Sequence, residues 1–374
     1  MQNKVAIITS GHPPFDERIF WKFGLSLVNN NYSVRVICST EEVNIEKNNI
    51  SITGFDSMSI GRNKKIHKFL DYLNLYSPDI IICCESLTLI PALRFKISNK
   101  RNTKIIYDVT EWYPEGITSK INGIKKYIIY AFLFTLNLIL SNLTSAIIIG
   151  EIQKQKRYNL IAPFKKKIII GYYPVIRSFE YNPPRFNGHA LVLCYAGLIN
   201  FKRGIREILL VSEQLHNRHK DLTIKLKIIG KFESPEDEKL FDNLALSYKN
   251  ILIEKAGWTE YKNISSMLSD VDICFDLRER NFVYNNSLPI KIFEYMACGK
   301  PFIFSDVMPI RQELGELNCG FLADPNDLED IIKKIELYIS NKDLLKEHSK
   351  NGRQLIDSGK NWETESQKLL GLLK

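Results

Sequence analysis

Short runs that are apolar at almost every position recur along the chain, separated by stretches of helical length and mixed polarity. In the first half they are VAIIT (5–9), VRVIC (34–38), DIIICC (79–84), KIIYD (104–108), SAIII (145–149) and KIIIG (167–171). In the second half they are LVLCYAG (191–197), IKLKIIG (224–230), ILIE (251–254), DICFD (272–276) and PFIFS (301–305). A strand with one wet face alternates apolar and polar residues. A strand that is apolar throughout is covered on both faces, which is the condition of a parallel sheet flanked by helices. The pattern therefore predicts an α/β protein of two doubly wound, Rossmann-like parallel-sheet domains facing a cleft. The segment 174–188, PVIRSFEYNPPRFNG, breaks the rhythm with three prolines and reads as a linker. The expected organisation is a first domain over 1–173, the linker 174–188, a second domain over 189–355, and a terminal helix within 356–374 that can cross back to the first domain. No repeat period and no low-complexity tract interrupts this plan.

One stretch departs from the pattern. Tyr127 to Gly150 carries no charged residue, long enough to raise the question of a membrane span. Asn137, Ser141 and Thr144 nonetheless form a polar stripe at helical spacing, and the period changes at SAIII. The expected structure is a core or surface helix ending near Asn142, followed by a buried strand. Lys120, Lys125 and Lys126 precede it, and they can hold its apolar face against an anionic bilayer.

Composition adds bounds. The 374 residues are 45% hydrophobic and 25% charged, ordinary for a soluble globular chain with ample core. The net charge of +9 is unevenly placed: residues 1–187 hold 25 Lys and Arg against 14 Asp and Glu, and the remainder 26 against 28. A basic first half faces something anionic, a nucleic acid or a lipid surface by charge alone. The seven cysteines form no C-x-x-C pair and sit mostly inside apolar runs, so they read as reduced core residues. With no signal peptide at the start, the expected location is cytoplasmic, with the inner face of the plasma membrane as a peripheral site.

The most informative block is Asn285 to Asp306, NNSLPIKIFEYMACGKPFIFSD. Ser287 reads as an N-cap and Pro289 as a first-turn residue, Gly299 as a left-handed stop, and FIF as the strand that follows. Lys291 and Glu294 share one face of that helix, among apolar neighbours. The backbone amides of Asn285, Asn286 and Ser287 can receive phosphate oxygens at the helix start. Lys202 and Arg203 precede Gly204 at the start of another helix, where they can neutralise a diphosphate, or form a solvated basic turn.

SLPIKIFEYMACGKPFIFSD resembles the donor-site block of retaining glycosyltransferases of the GT-B fold, family 4 in particular, in the S-x-P-x-K-x-x-E-Y-x-A-x-G-K-P form of bacterial surface-polysaccharide enzymes. SGHPPFDERIFWKFGLSLVNNNYSVRVIC (10–38) resembles that group's first strand and acceptor-side loop, YDVTEWYPE (107–115) its D-x-H-E-x-Y-P-E block, and YAGLINFKRGIREILL (195–210) its phosphate-contacting turn. KIIG and AGWTEYKNISSMLSDVDICFD follow in the same order, so the similarity runs over nearly all of residues 4–335.

The resemblance implies transfer of a sugar, with retention, from a nucleotide-diphosphate sugar, UDP favoured, to a glycan or lipid-linked acceptor in cell-surface polysaccharide synthesis. It implies that Glu294 holds the ribose; the alternative is a helix glutamate favoured by the dipole. Donor-side candidates are Gly197, Lys202, Arg203, Trp258 (flanking the base, or a packed loop aromatic), Asn285, Asn286, Ser287, Lys291 and Glu294. Acceptor-side candidates are Gly11, a glycine for close backbone approach, His12 and Asp16, the last read as a local ion pair with Arg18. Glu111, His12 and Arg203 are the catalytic candidates. Two positions depart from the pattern: Asn286 stands where many members carry a second glutamate, and Thr110 where a histidine is expected.

Competing chemistry is thin. Asp270-Val271-Asp272 runs straight into a strand, and Asp272 reads as a cap of that junction rather than a metal ligand. His216 and His219 have no carboxylate or thiol nearby in sequence, so no metal is expected. No G-x-G-x-x-G or Walker loop is present, so no NAD or ATP chemistry and no cofactor is expected; nucleic acid fits only the charge. A nucleotide-sugar 2-epimerase and a non-catalytic nucleotide-sugar or glycan binder of the same fold are the two rival functions.

Overall fold

The computed structural model describes residues 2–100 and 102–374. Two compact units divide the chain: everything through Tyr172 together with Trp362–Lys374, and Tyr173–Asn361. Both are α/β.

The first unit is built on strands β1 (Lys4–Thr9), β2 (Ser33–Cys38), β3 (Val43–Lys47), β4 (Ile50–Gly54), β5 (Ile80–Cys83), β6 (Lys104–Val109), β7 (Ala146–Ile149) and β8 (Lys166–Ile169). They lie in the order β3-β4-β2-β1-β5-β6-β7-β8, parallel except for β3 at the edge. The β3–β4 hairpin is absent from the sequence expectation. Its turn is Asn48-Asn49, both with positive φ (53° and 60°), the backbone that a two-residue hairpin turn requires and that asparagine tolerates. Every residue of β5 and β7 is buried, as uniformly apolar runs demand.

The second unit carries β9 (Ala190–Ala196), β10 (Thr223–Ile229), β11 (Leu252–Gly257), β12 (Ile273–Asp276), β13 (Phe302–Ser305) and β14 (Gly320–Ala323), in the order β11-β10-β9-β12-β13-β14. All neighbours are parallel. The order reverses at β1 in the first sheet and at β9 in the second, and such switch points open a crevice beyond the carboxyl ends of the strands.

The segment 174–188 does not hang free as a linker. The Asn182 amide donates to the Cys298 carbonyl (2.9 Å), the Arg185 amide donates to the Asp272 carboxylate (2.9 Å), and Phe186 enters the second unit's core. The last helix, Trp362–Leu373, counts in the first unit. Its Trp362 stacks on Phe23 (centroids 5.6 Å apart) and donates to Ser26 Oγ (2.8 Å), while Glu365 accepts the Gly171 amide at 2.7 Å. All seven cysteines are buried and free.

Candidate donor and acceptor sites

In the second unit, a buried cationic cluster gathers at the carboxyl ends of β9 and β12. Asp276 closes β12 with its carboxylate sealed from solvent and takes Arg278 Nη2 at 2.8 Å and Nε at 3.0 Å. Lys291, at the start of helix Lys291–Ala297, brings its ammonium to 3.7 Å from the same carboxylate and 4.1 Å from the centre of the Tyr195 ring on β9. Arg203 lies over the Tyr284 ring at 6.0 Å and within the field of Asp276. Three cations thus surround one carboxylate. Lys291 Nζ and Arg203 Nε are buried with no hydrogen-bond partner, a costly arrangement unless an anion completes it.

The electrostatics follow from that count. Burial by itself would raise the Asp276 carboxyl, yet Arg278 and Lys291 hold it below the usual carboxylate range. Burial first, then the neighbouring Arg203 and Arg278, pull the Lys291 ammonium down to about 7 against the attraction of Asp276 and Glu294. Gly197 makes room for this lysine. It follows β9 at φ 130°, and a Cβ there would fall 2.5 Å from Lys291 Nζ. Glu294 sits one turn on from Lys291, buried like Ile292, Phe293, Tyr295 and Met296 around it.

A cavity of about 410 Å3 opens at the carboxyl ends of β9, β10 and β11, lined by Ile199, Gly230, Phe232, Ser234, Lys255 and Gly257 among others. Gly230 (φ 142°) permits the pinch between β9 and β10, since a Cβ there would fall 1.9 Å from the Gly197 carbonyl oxygen.

Several expectations change in three dimensions. Ser287 does not N-cap the Glu294 helix: residues Phe282–Asn286 form a short helix of their own, capped by Asn281, and Ser287 ends it in extended conformation. The Asn285 amide is accordingly spent on the Asn281 carbonyl (2.9 Å), and the Glu294 helix begins only at Lys291, beyond Pro289. Asn285 still contributes, through a buried carboxamide oxygen with no partner, while the Asn286 carboxamide donates to the Phe282 carbonyl at 2.8 Å. Lys202 points to solvent, apart from Arg203. Trp258 is 67% exposed on the loop after Gly257 and lines none of the cavity. Gly299 is the expected left-handed stop, at φ 71°. Asp276, Arg278, Tyr195 and Tyr284 were missed; the only signal was a charged pair straddling Leu277 at a strand end.

In the first unit a second cluster forms behind β1. Glu85, two residues past the end of β5, accepts Thr9 Oγ1 (2.6 Å), the Ser10 amide (2.8 Å) and the Gly11 amide (3.3 Å). The amide of Gly11 is therefore committed to Glu85 while the residue stays exposed, and a Cβ there would meet nothing closer than 3.6 Å. His12 Nδ1 lies 3.1 Å from Asp16, and its Nε2 lies 3.7 Å from Glu85. Burial opposes charging of this imidazole, but the Asp16 hydrogen bond and the carboxylates of Asp16, Glu85 and Glu111 outweigh it and raise it to about 9. His12 is thus an imidazolium at neutral pH and no base. Glu111 is exposed close enough to act on it. Glu85 was missed, although an acid directly after an apolar run was a readable hint.

Asp16 and Arg18 do not pair with one another. Asp16 caps the helix that starts at Glu17 by accepting the Arg18 and Ile19 amides (2.9 and 3.1 Å). Arg18 reaches Asp108 on β6 instead, in a buried two-pronged pair at 2.7 and 2.8 Å. Thr110, in the position of the expected histidine, donates to the Cys84 carbonyl at 3.0 Å. Asp272 accepts the Arg185 and Val192 amides as a junction cap, whereas Asp270 pairs with Lys227 at 2.7 Å. His219 does have a carboxylate near it, Glu336 at 3.0 Å.

A histidine whose pKa is raised by folding stabilises the fold for as long as its ring is charged in the native state. The contribution of His12 is complete below its unfolded value near 6.5 and disappears as pH rises through about 9. Denaturation of His12→Gln against the parent should show a stability gap that is widest below pH ~6.5 and closes above pH ~9. A gap independent of pH would assign His12 a packing role alone.

Residues 177–355 match the family model of glycosyl transferases group 1. An uncharacterized glycosyltransferase of Haemophilus influenzae is 27% identical over 172 residues, which is 44% of this chain and 44% of that protein. The chain thus matches less than half the length of that curated relative. Among solved structures, sucrose-phosphate synthase from Thermosynechococcus elongatus superposes over 100% of this chain and 98% of its own, at TM-score 0.76 and 15% identity. Anabaena HepE in complex with UDP-glucose covers 99% of both chains at TM-score 0.73 and 13% identity. A glycosyltransferase from Rickettsia africae covers 99% of this chain and 97% of its own at TM-score 0.68 and 13% identity. These likenesses establish the GT-B fold: two parallel-sheet α/β domains.

Proposed function

We propose that the protein is a glycosyltransferase that takes its sugar from a nucleotide-diphosphate donor bound to the second unit. The observation that carries this reading is the Asp276 cluster, in which Arg203 and Lys291 present buried, unspent N–H donors at the carboxyl ends of β9 and β12. A diphosphate supplies the charge and the acceptors that this cluster lacks. Negative charge builds on that diphosphate as the glycosidic bond to it breaks, so fixed cations there stabilise the transition state more than the ground state. The adjoining 410 Å3 cavity, with Phe232, Lys255 and Ser234 on its wall, has the size and mixed polarity for a nucleoside base, and Glu294 has the chemistry to accept ribose hydroxyls. Uridine is favoured because HepE, a structural neighbour, was solved with UDP-glucose.

In the finer reading, transfer proceeds with retention to a glycan or lipid-linked acceptor of cell-surface polysaccharide, at the cytoplasmic side of the membrane. The first unit offers the His12, Glu85 and Glu111 group to such an acceptor's hydroxyls. A second reading, a nucleotide-sugar binder without transfer, is favoured by Asn286: a carboxamide cannot supply the negative charge that a second carboxylate would bring to an anomeric cation.

The test is nucleotide release from a panel of nucleotide sugars with a membrane lipid extract as acceptor. UDP release coupled to a glycosylated lipid is the expected result. Tight donor binding with no release would favour the binder, and free epimerised donor the 2-epimerase. In the same assay Glu294→Gln should raise the Kd for UDP about tenfold, the loss of one charge-assisted hydrogen bond. An unchanged Kd removes Glu294 from the nucleotide site.

A further inference from the structure

Helix Ile124–Leu143 is apolar on its outer face as well as its inner one. Its buried stripe is Leu133, Asn137, Leu140 and Ser141, and Asn137 donates to the Tyr158 hydroxyl (3.2 Å) beneath it. Its opposite face is apolar and open to solvent. Ile124, Ile128, Phe132, Ile139 and Leu143 follow at helical spacing, with Tyr127 71% and Phe132 61% exposed. A helix on a water-soluble domain normally turns one apolar stripe inward and keeps its outer face polar. An outer face as apolar as the buried one is the arrangement of a surface whose solvent is lipid.

The same edge of the unit extends the patch. The Asn142 carboxamide donates to the Ile161 carbonyl (2.6 Å), which brings Leu160 and the 95% exposed Phe164 to the carboxyl end of the helix. Charge then frames the patch at both ends. Lys120, Lys125 and Lys126 stand at the amino end and Lys165, Lys166 and Lys167 beside Phe164, with Lys166 in register with Ala146 just beyond the helix. Across residues 116–172 nine Lys and Arg face a single acidic residue, Glu151, itself buried against Lys154 at 2.8 Å.

We propose that this face is a docking surface for an anionic lipid bilayer, with the helix lying in the interfacial layer and the two lysine groups on the headgroups. The helix is long and apolar enough to cross a membrane. It lies instead along the side of a folded domain, on helix Ser86–Ser98 and helix Ile152–Ile161, so it rests on the surface. A 20-residue helix is about 30 Å long, which presents a broad apolar strip at one depth. A second copy of the chain is disfavoured as occupant, because a two-fold contact would set the two lysine groups at the ends of the patch against their own like.

Sedimentation of the full chain with vesicles tests this. Binding is expected to phosphatidylcholine vesicles containing about a third phosphatidylglycerol, and to be much weaker with phosphatidylcholine alone. Added salt should weaken it through screening. Ile128→Glu with Phe132→Glu should lower the partition at least about tenfold, since two exposed apolar side chains leave the interface. Neutralising Lys125 and Lys126 should cost about fivefold each. Both sets of residues are exposed or half-buried, so thermal unfolding and UDP affinity should stay at parental values, which separates this surface from the nucleotide site. Equal vesicle binding by parent and Ile128→Glu/Phe132→Glu overturns the proposal. So does a parental dimer in sedimentation velocity that the same variant converts to monomer.

Discussion

Lys291→Met should weaken binding of UDP by about ten- to a hundredfold and at the same time make the unliganded protein more stable. The two effects come from one geometry. Lys291 is buried against Tyr195, 3.7 Å from Asp276, with no hydrogen-bond acceptor for its ammonium. Without ligand its folded value falls to about 7, against 10.5 for an ordinary lysine. Between those two values the unfolded chain binds more protons than the native one, so stability rises with pH across that window and the full cost is carried below pH ~7. Methionine keeps the length and removes the cost, and Asp276 retains its pair of bonds from Arg278. The variant should therefore melt above the parent at neutral pH and lose the parent's rise in stability between pH ~7 and ~10.

Binding runs the other way. A diphosphate beside Lys291 favours the ammonium, so its pKa rises in the complex and nucleotide binding takes up a proton above pH ~7. Affinity should fall as pH climbs from there. Calorimetry in buffers of different ionisation enthalpy reads the uptake directly, and in Lys291→Met it should vanish. Asp276, Arg203, Arg278, Glu294 and Tyr195 also face this ammonium; the Asp276 carboxyl is held below its ordinary value and the Tyr195 and Arg203 groups are raised above theirs, each away from that window. Parental affinity in the variant would place the diphosphate elsewhere.

The second large effect is structural. Arg18→Met is expected to destabilise the protein by about 3–5 kcal/mol, because it strands the sealed Asp108 carboxylate without a counter-charge. Arg18 gives that carboxylate two bonds, donates to the Ile170 and Gly171 carbonyls, and lies between the Phe23 and Tyr172 rings at 4.6 and 4.3 Å. Denaturation should show the loss in the transition of the first unit, with UDP affinity of the second unit unaffected. Adding Asp108→Leu to Arg18→Met should recover most of the stability, since an apolar pair of similar volume carries no desolvation cost. If Arg18→Met proves neutral, the pair contributes packing only.

The strands were legible because their apolar runs are a local consequence of being covered on both faces. The β3–β4 hairpin was missed because its residues alternate at an edge, and short mixed runs carry a weaker signal. The site was legible where a residue's role depends on its own helix. Lys291 and Glu294 share a turn by spacing alone, and Gly299 stops that turn by its backbone freedom. It was illegible where partners come from distant strands. Arg18 and Asp108 are 90 residues apart, and sequence proximity pointed to Asp16 instead.

By itself, then, the sequence determined the α/β class, the parallel sheets and the block from Lys291 to Gly299, because periodicity and backbone preference act over a few residues. Only the tertiary structure decided which charges meet. It placed Asp276 and Arg278 around Lys291, sent Lys202 to solvent, and set Glu85 rather than a ligand against the amide of Gly11. Electrostatics works through space over a few ångströms, and which groups come that close is fixed by the packing of strand ends that lie far apart in the chain.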